Sequence, residues 1–420
     1  MIIIVTSVIE FKPLIEGLSY LAGNLFFIDF FQIWITLIIL IIIALSSISA
    51  FYEISSKRST SLKNFLILNS ILTIMLTATN NIFYFFIMFE MAILPIFLII
   101  IGWGYQPEKI EAAIVIFFYT LVGSVPLNMF ILYQFSRSLN IFFIQRCAIA
   151  LNNFYGSTLA FTVLIRFLVK FPVYCLHLWL PLAHVEAPVY GSMILAGILL
   201  KLGGIGIARF IIFISSVRVV NLVCLLALLR TSLIRLTCIQ TTDIKKIIAF
   251  SSVAHIRFRI ILISVSVETT VISRFIILIV HAFRSSGIFF LIYVFYTSSN
   301  SRNLILNSGV LRGSPLFRFL WLILLISSLG GPPAINLLVE IICIIGLLTF
   351  FSQFFLAIFI GFMVARAYHF VLYSSLCQGK SSWENLSHKL TTHNGHFYLV
   401  RVTHVFYTIY NYALISYFFN

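Results

Sequence analysis

The chain has 420 residues, of which 61% are hydrophobic and 9% charged, with 44 phenylalanines among them. Soluble domains average about 25% charged residues, so polar side chains are too few to cover a globular surface. A soluble enzyme, a disordered chain and a disulfide-stapled secreted domain are all excluded. The net charge of +15 (27 basic against 12 acidic residues) would suggest nucleic acid on a soluble protein. Here many basic residues lie inside apolar runs, and no nucleic-acid partner is expected.

In chain order, apolar runs fall near 1–15, 26–50, 64–79, 82–101, 112–135, 157–180, 188–213, 217–238, 246–266, 270–297, 317–348, 350–373 and 397–418. Runs of about 20 apolar residues are what a bilayer core demands. The pattern predicts an all-α polytopic membrane protein of about thirteen transmembrane helices, one domain over 1–420, with lipids around it. The polar breaks are short, and no segment is long enough for a nucleotide-binding or redox domain. Lys57-Arg58 and the basic loop from Arg137 to Arg146 fall on opposite sides, so loop charge sets no orientation. The six cysteines lack C-x-x-C spacing and read as small core residues, not metal ligands. No cleavable leader is recognisable at the start of the sequence.

The informative residues are those that a bilayer penalises most, because a charge at its centre costs about 2.5–3.5 kcal/mol on the insertion scale. Four stand in mid-run. Glu90 lies in IFYFFIMFEMAILPIFLIII, where Pro95 frees a carbonyl beside it. Lys170 lies in VLIRFLVKFPVYCLHLWLP, next to the helix breaker Pro172, with His177 two turns on along the same face. Lys201 lies among small residues in GSMILAGILLKLGGIGIARF, which lets neighbouring helices approach. Glu340 lies two turns past Pro333 in SSLGGPPAINLLVEIICIIG, where Pro332 and Pro333 break the helix. Broken helices at membrane depth line wet cavities or are buried in protein. His255 and His281 in apolar runs, and His184 beside Glu186, can relay protons near their ordinary pKa of about 6.5. Each of these residues also has a plainer reading: packing pairs for the acids, snorkelling for the lysines, hydrogen-bonded core groups for the histidines. Together they describe a hydrophilic thread suited to proton or cation movement.

The run VKFPVYCLHLWLPLAHVEAPVYGSMILAGILLKLGGIGIARF, with FEMAILPIFLIIIGWG, CIQTTDIKKIIAFSSVAH and GPPAINLLVE, resembles the chain 4 family of NADH–ubiquinone oxidoreductase, respiratory complex I. The resemblance covers roughly Asn80 to Leu348. It implies antiporter-like inverted repeats with two broken helices, a core over about 64–348 and peripheral helices over 350–420. It implies an acid–lysine pair at Glu90 and Lys170, a central lysine at Lys201, an exit acid at Glu340, and a connecting path through His177, His255 and His281. Lys245 matches a lysine near a helix start and reads as structural or interfacial. The implied function is proton translocation in the mitochondrial inner membrane. It is driven by electron transfer in partner subunits that hold NADH, FMN, the iron–sulfur clusters and ubiquinone, with other antiporter-like membrane subunits as neighbours and no cofactor in this chain. The alternative is a subunit of a stand-alone cation/proton antiporter. Leu182 and Gly102 depart from the basic residues common at those places.

Arg230, Arg257, Arg259, Arg274 and Arg284 lie in apolar runs with too few acids to pair them, and methionine is scarce at 7 residues. Similar sequences tend to carry Ser, Gly or Thr there. We expect that some of these codons are AGA or AGG, which certain mitochondria read as serine.

Overall fold

The computed structural model describes residues 30–53, 56–137, 163–172, 177–210, 234–264, 268–299, 301–313, 315–331, 334, 336–337, 340–342, 344–345 and 355–378. All regular structure among them is helical, apart from isolated bridges such as Asp243 with Asn303. The helices are α1 (Phe30–Glu53), α2 (Ser56–Ala78), α3 (Ile82–Met91), α4 (Leu94–Trp103), α5 (Lys109–Arg137), α6 (163–170), α7 (Trp179–Glu186), α8 (Val189–Ile194), α9 (Leu200–Phe210), α10 (234–240), α11 (Ile244–Ser264), α12 (Glu268–Ser299), α13 (Pro315–Ser328) and α14 (Phe355–Cys377). Seven spans among the described residues are long and apolar enough to cross a membrane: Gln32–Ala50, Thr60–Ala78, Ile82–Trp103, Lys109–Tyr133, Val189–Phe210, Ile276–Tyr296 and Phe359–Cys377. The chain is a membrane protein with several apolar helices.

Burial sorts these spans. Val189–Phe210 and Ile276–Tyr296 are almost wholly enclosed by protein, whereas Lys109–Tyr133 and Phe359–Cys377 leave most of their length outward. The outward residues are large and apolar, among them Phe118, Val122, Met129 and Phe370. In water such a surface would drive aggregation; against lipid tails it carries no penalty. These two enclosed spans carry Lys201 and His281.

Each helix break has a local cause. The run expected over 157–180 is interrupted: α6 ends at Lys170 and a turn follows at 171–172, where Pro172 cannot continue the hydrogen-bond ladder. The indole Nε1 of Trp179 donates to the Val169 carbonyl at 3.0 Å, tying the start of α7 to the end of α6. The run over 82–101 is likewise divided, since α3 stops at Met91 and α4 begins at Leu94 with Pro95 in its first turn. The run over 317–348 turns at Leu329–Gly330, with Gly330 at φ 66°. Pro332 and Pro333 lie outside the described residues, as do the expected spans over 1–15 and 397–418 and residue Arg230.

Between α8 and α9 the helix widens into a π turn over Leu195–Leu199. Close approach is possible around it because side chains are missing. A methyl on Gly197 would lie 2.7 Å from Ile42 Cδ1, and one on Gly206 would lie 2.2 Å from the Phe167 ring. Cationic side chains cap carbonyls at helix ends elsewhere. Arg209 donates to the carbonyls of Thr79 (2.8 Å) and Thr77 at the end of α2.

Candidate proton-transfer site

Glu90 sits in the last turn of α3, one residue after the fully buried Phe89. Its carboxylate accepts from the Arg166 guanidinium, which also donates to the Thr120 carbonyl of α5. Arg166 is fully buried, while the Glu90 side chain keeps about a quarter of its surface open. Lys170 lies one turn further along α6 and is 3% exposed. Its ammonium donates to the Phe89 carbonyl at 2.6 Å and rests 3.2 Å from the centre of the Phe89 ring. That ring face is electron-rich and attracts a cation. So the direct ionic partner of Glu90 is Arg166, with Lys170 beside the pair on the preceding residue's backbone. The two cations are four residues apart on one helix and therefore share a face. The chain places both within reach of a single acid.

α9 crosses α6 at this point. A methyl on Gly203 would fall 3.2 Å from the Phe171 backbone nitrogen and 3.3 Å from Lys170 Cβ. Two residues earlier, Lys201 is 7% exposed. Its ammonium donates to the Ala196 carbonyl inside the π turn and lies 2.9 Å from His281 Nδ1 of α12. With the lysine as an ammonium, which only donates, Nδ1 is assigned as the accepting nitrogen of that pair and Nε2 as the protonated one. π turns occur often at functional sites, and this one supplies a carbonyl to the ammonium. A cavity of about 20 Å³ adjoins Lys201, bordered by Ile38, Gly197 and Ala282; that is room for about one water.

The remaining sequence candidates take the following places. His281 and His255 are buried on α12 and α11. His184 is fully buried on α7, its ring stacked on Phe289 at 4.7 Å. His177 is buried just before α7, not two turns along the face of Lys170; the break at Pro172 ends the helix that would have aligned them. Glu340 approaches Gly330 so closely that a methyl there would be 2.4 Å from Oε2. The positive φ of Gly330 and this approach both require glycine. Lys245, in the first turn of α11, reaches the other end of α7, where its ammonium donates to the carbonyls of Val185 (2.9 Å) and Ala187 (2.7 Å). Arg302 adds a bond to Val185 at 3.2 Å. Asp243 holds the start of α11 by accepting from the Lys245 backbone nitrogen at 2.9 Å.

Three charged or polar contributors were not singled out from sequence. Arg166 was visible as a cation one turn before Lys170 in an apolar run. Arg235 of α10 is buried, interacts electrostatically with Glu340, and lies over the Phe362 ring at 5.4 Å. His369 of α14 is buried near His255. Arg284 is buried too and donates to the Ser327 carbonyl at 3.3 Å. The side chains of Arg257, Arg259 and Arg274 lie outside the described residues. No group of three or more metal-binding side chains occurs among the described residues.

Residues 78–365 match the family described as NADH:quinone oxidoreductase/Mrp antiporter, transmembrane. The chain is 36% identical over 312 residues to NADH-ubiquinone oxidoreductase chain 4 of Ceratitis capitata, covering 72% of this chain and 68% of that one. It is 35% identical over 333 residues to the protein of the same name from Artemia franciscana, covering 79% and 84%. Among solved structures it resembles a chain of respiratory complex I from Thermus thermophilus with bound NADH. The TM-score is 0.73 at 18% identity, over 90% of this chain and 85% of that one, a likeness of fold.

Proposed function

Because the chain belongs to the NADH:quinone oxidoreductase/Mrp antiporter transmembrane family, we propose that it moves protons through the membrane part of NADH:ubiquinone oxidoreductase. It is a membrane subunit and not a redox centre. The relatives matched over most of their length are complex I chains, which favours this reading over a stand-alone antiporter. On this reading the protein resides in the mitochondrial inner membrane beside other antiporter-like subunits. NADH, FMN, the iron–sulfur clusters and ubiquinone belong to partner chains. We assign it about thirteen helices in one domain, with inverted five-helix repeats in a core over about 64–348 and peripheral helices over 350–420. The fold likeness over 90% of the chain supports this organisation.

The observation that carries the reading is the buried contact of Lys201 with His281 at 2.9 Å, inside two spans enclosed by protein. A charge so placed is expensive, and a lysine that only anchored a helix end would not sit on an imidazole. Glu90 is the acid at the entry side. When its carboxylate turns from Arg166 to Lys170, Lys170 keeps its proton. When it turns back, the desolvated ammonium is destabilised and releases the proton toward Lys201. Lys201 passes it to the accepting nitrogen of His281, and the path runs on by His255 to Glu340 as exit acid. His177 lies between Lys170 and α7, and the break at Pro172, with the one expected from the sequence at Pro332-Pro333, would leave backbone groups to hold water along the way.

Lys170→Met and Lys201→Met in the whole complex test this. We expect assembly on native gels, electron transfer from NADH to an artificial acceptor unchanged, and proton uptake by vesicles greatly reduced. Normal pumping by both assembled variants would refute it.

A further inference from the structure

α14 belongs to the region expected to be peripheral, yet one stripe of it faces the polar interior. Gly361, Phe362, Ala365, Tyr368 and His369 recur at helical spacing, one face of the helix. A methyl on Gly361 would lie 2.5 Å from Arg235 Nη1, so the guanidinium rests on the backbone there. His369 is 5% exposed, and its ring centre lies 6.2 Å from that of His255 at a tilt of 59°. Its Nδ1 is 2.8 Å from the Ala365 carbonyl, so Nδ1 carries the proton and donates it, leaving Nε2 as the accepting nitrogen on the opposite ring edge. The Tyr368 ring lies beside it, ring centres 4.3 Å apart at a tilt of 31°. Arg235 and Arg284 lie within electrostatic reach of the ring, and Arg235 in turn is within reach of Glu340.

We propose that His369 carries protons between His255 and Glu340, so that α14 forms a wall of the exit path; this rests on the reading of the preceding subsection. The two rings are close enough for one water to join their nitrogens. Nε2 accepts a proton from a water on the His255 side, giving an imidazolium, and gives it up to a water that exchanges into the same position from the side of Arg235 and Glu340. Nδ1–H stays on the Ala365 carbonyl throughout. The guanidinium of Arg235 lies between the ring and Glu340 in electrostatic terms, which makes His369 a point of transit and leaves the carboxylate of Glu340 as the place where the proton rests. A packing histidine in this position would need only its bond to Ala365.

The test is His369→Asn and His369→Gln in the assembled complex, with Lys201→Met measured alongside. An amide still donates to the Ala365 carbonyl but takes up no proton. The expected result is normal assembly, unchanged NADH oxidation by an artificial acceptor, and a loss of about tenfold or more in quinone-linked turnover and proton uptake. Wild-type pumping by either assembled variant, with Lys201→Met inactive, would overturn the role of His369 alone. Wild-type pumping by Lys201→Met as well would remove the reading on which it rests. Failure of both His369 variants to assemble would identify a packing residue and equally overturn the proposal.

Discussion

Replacing Glu90 by glutamine separates what the acid does for the fold from what it does for protons. Arg166 is fully buried, and its named acceptors are the Glu90 carboxylate and the Thr120 carbonyl. Glu90→Gln removes the only negative charge of that pair and leaves a desolvated cation behind. Breaking a buried ion pair from one side costs about 3–5 kcal/mol, whereas replacing both partners by apolar groups is often close to neutral. Glu90→Gln alone should therefore lower the melting temperature and the amount of assembled complex. Adding Arg166→Met should restore most of the 3–5 kcal/mol, equivalent to a factor of about a hundred or more in an equilibrium constant. The assay is a double-mutant cycle read on native gels and by thermal melting in detergent. The assembled double variant should still fail to pump if Glu90 feeds the path. A single variant as stable as wild type, or a double variant no more stable than the single, would refute the energetic argument.

Other outcomes follow from particular contacts. Gly206→Ala drives a methyl to 2.2 Å from the Phe167 ring, packed against Phe85, Phe89 and Phe210. Overpacking of this kind costs about 1–3 kcal/mol, and a thermal melt as high as wild type would show that α6 and α9 do not cross there. Lys245→Met strips the donors from the Val185 and Ala187 carbonyls, at about 1.5–3 kcal/mol for each charge-assisted bond. It should loosen the end of α7 and speed local amide exchange; unchanged exchange would contradict the capping role. Peptide mass spectrometry should read serine at several of positions 230, 257, 259, 274 and 284. Arginine at all five, from CGN codons, would establish that the basic charge is genuine.

The helices and their breaks were legible because they follow from short-range rules. Apolar runs matched α1, α5, α12 and α14 within about five residues, while α2 begins eight residues before its run. A bilayer-length apolar segment has no better option than a helix. The stop at Lys170 followed from Pro172. Legibility ended where two candidates competed over distance. Nothing in the spacing says whether Glu90 meets Arg166 or Lys170, because both lie on one face of α6 and α3 is more than 70 residues away. The position of His177 was misjudged by carrying a helical period through the break that Pro172 itself announces. His369 carried the same signal as His255 and His281, a histidine in an apolar run, and was passed over because the inward stripe of α14 is decided by which neighbours it meets. The π turn was silent, for LAGIL suits an ordinary helix as well.

That turn gives the enclosed span a degree of freedom that an unbroken α-helix lacks. Leu195–Leu199 holds one surplus residue between α8 and α9, both anchored in packed protein. One residue corresponds to about 100° of rotation about a helix axis. If the surplus migrated past Lys201, the ammonium would swing by that angle, off the imidazole of His281, while both ends of the span stayed where they are. Such a slippage exchanges one carbonyl register for the next and breaks few bonds at any instant. Lys201 is thus set two residues beyond a joint in its own span, where a shift of helical register would part the ammonium from His281.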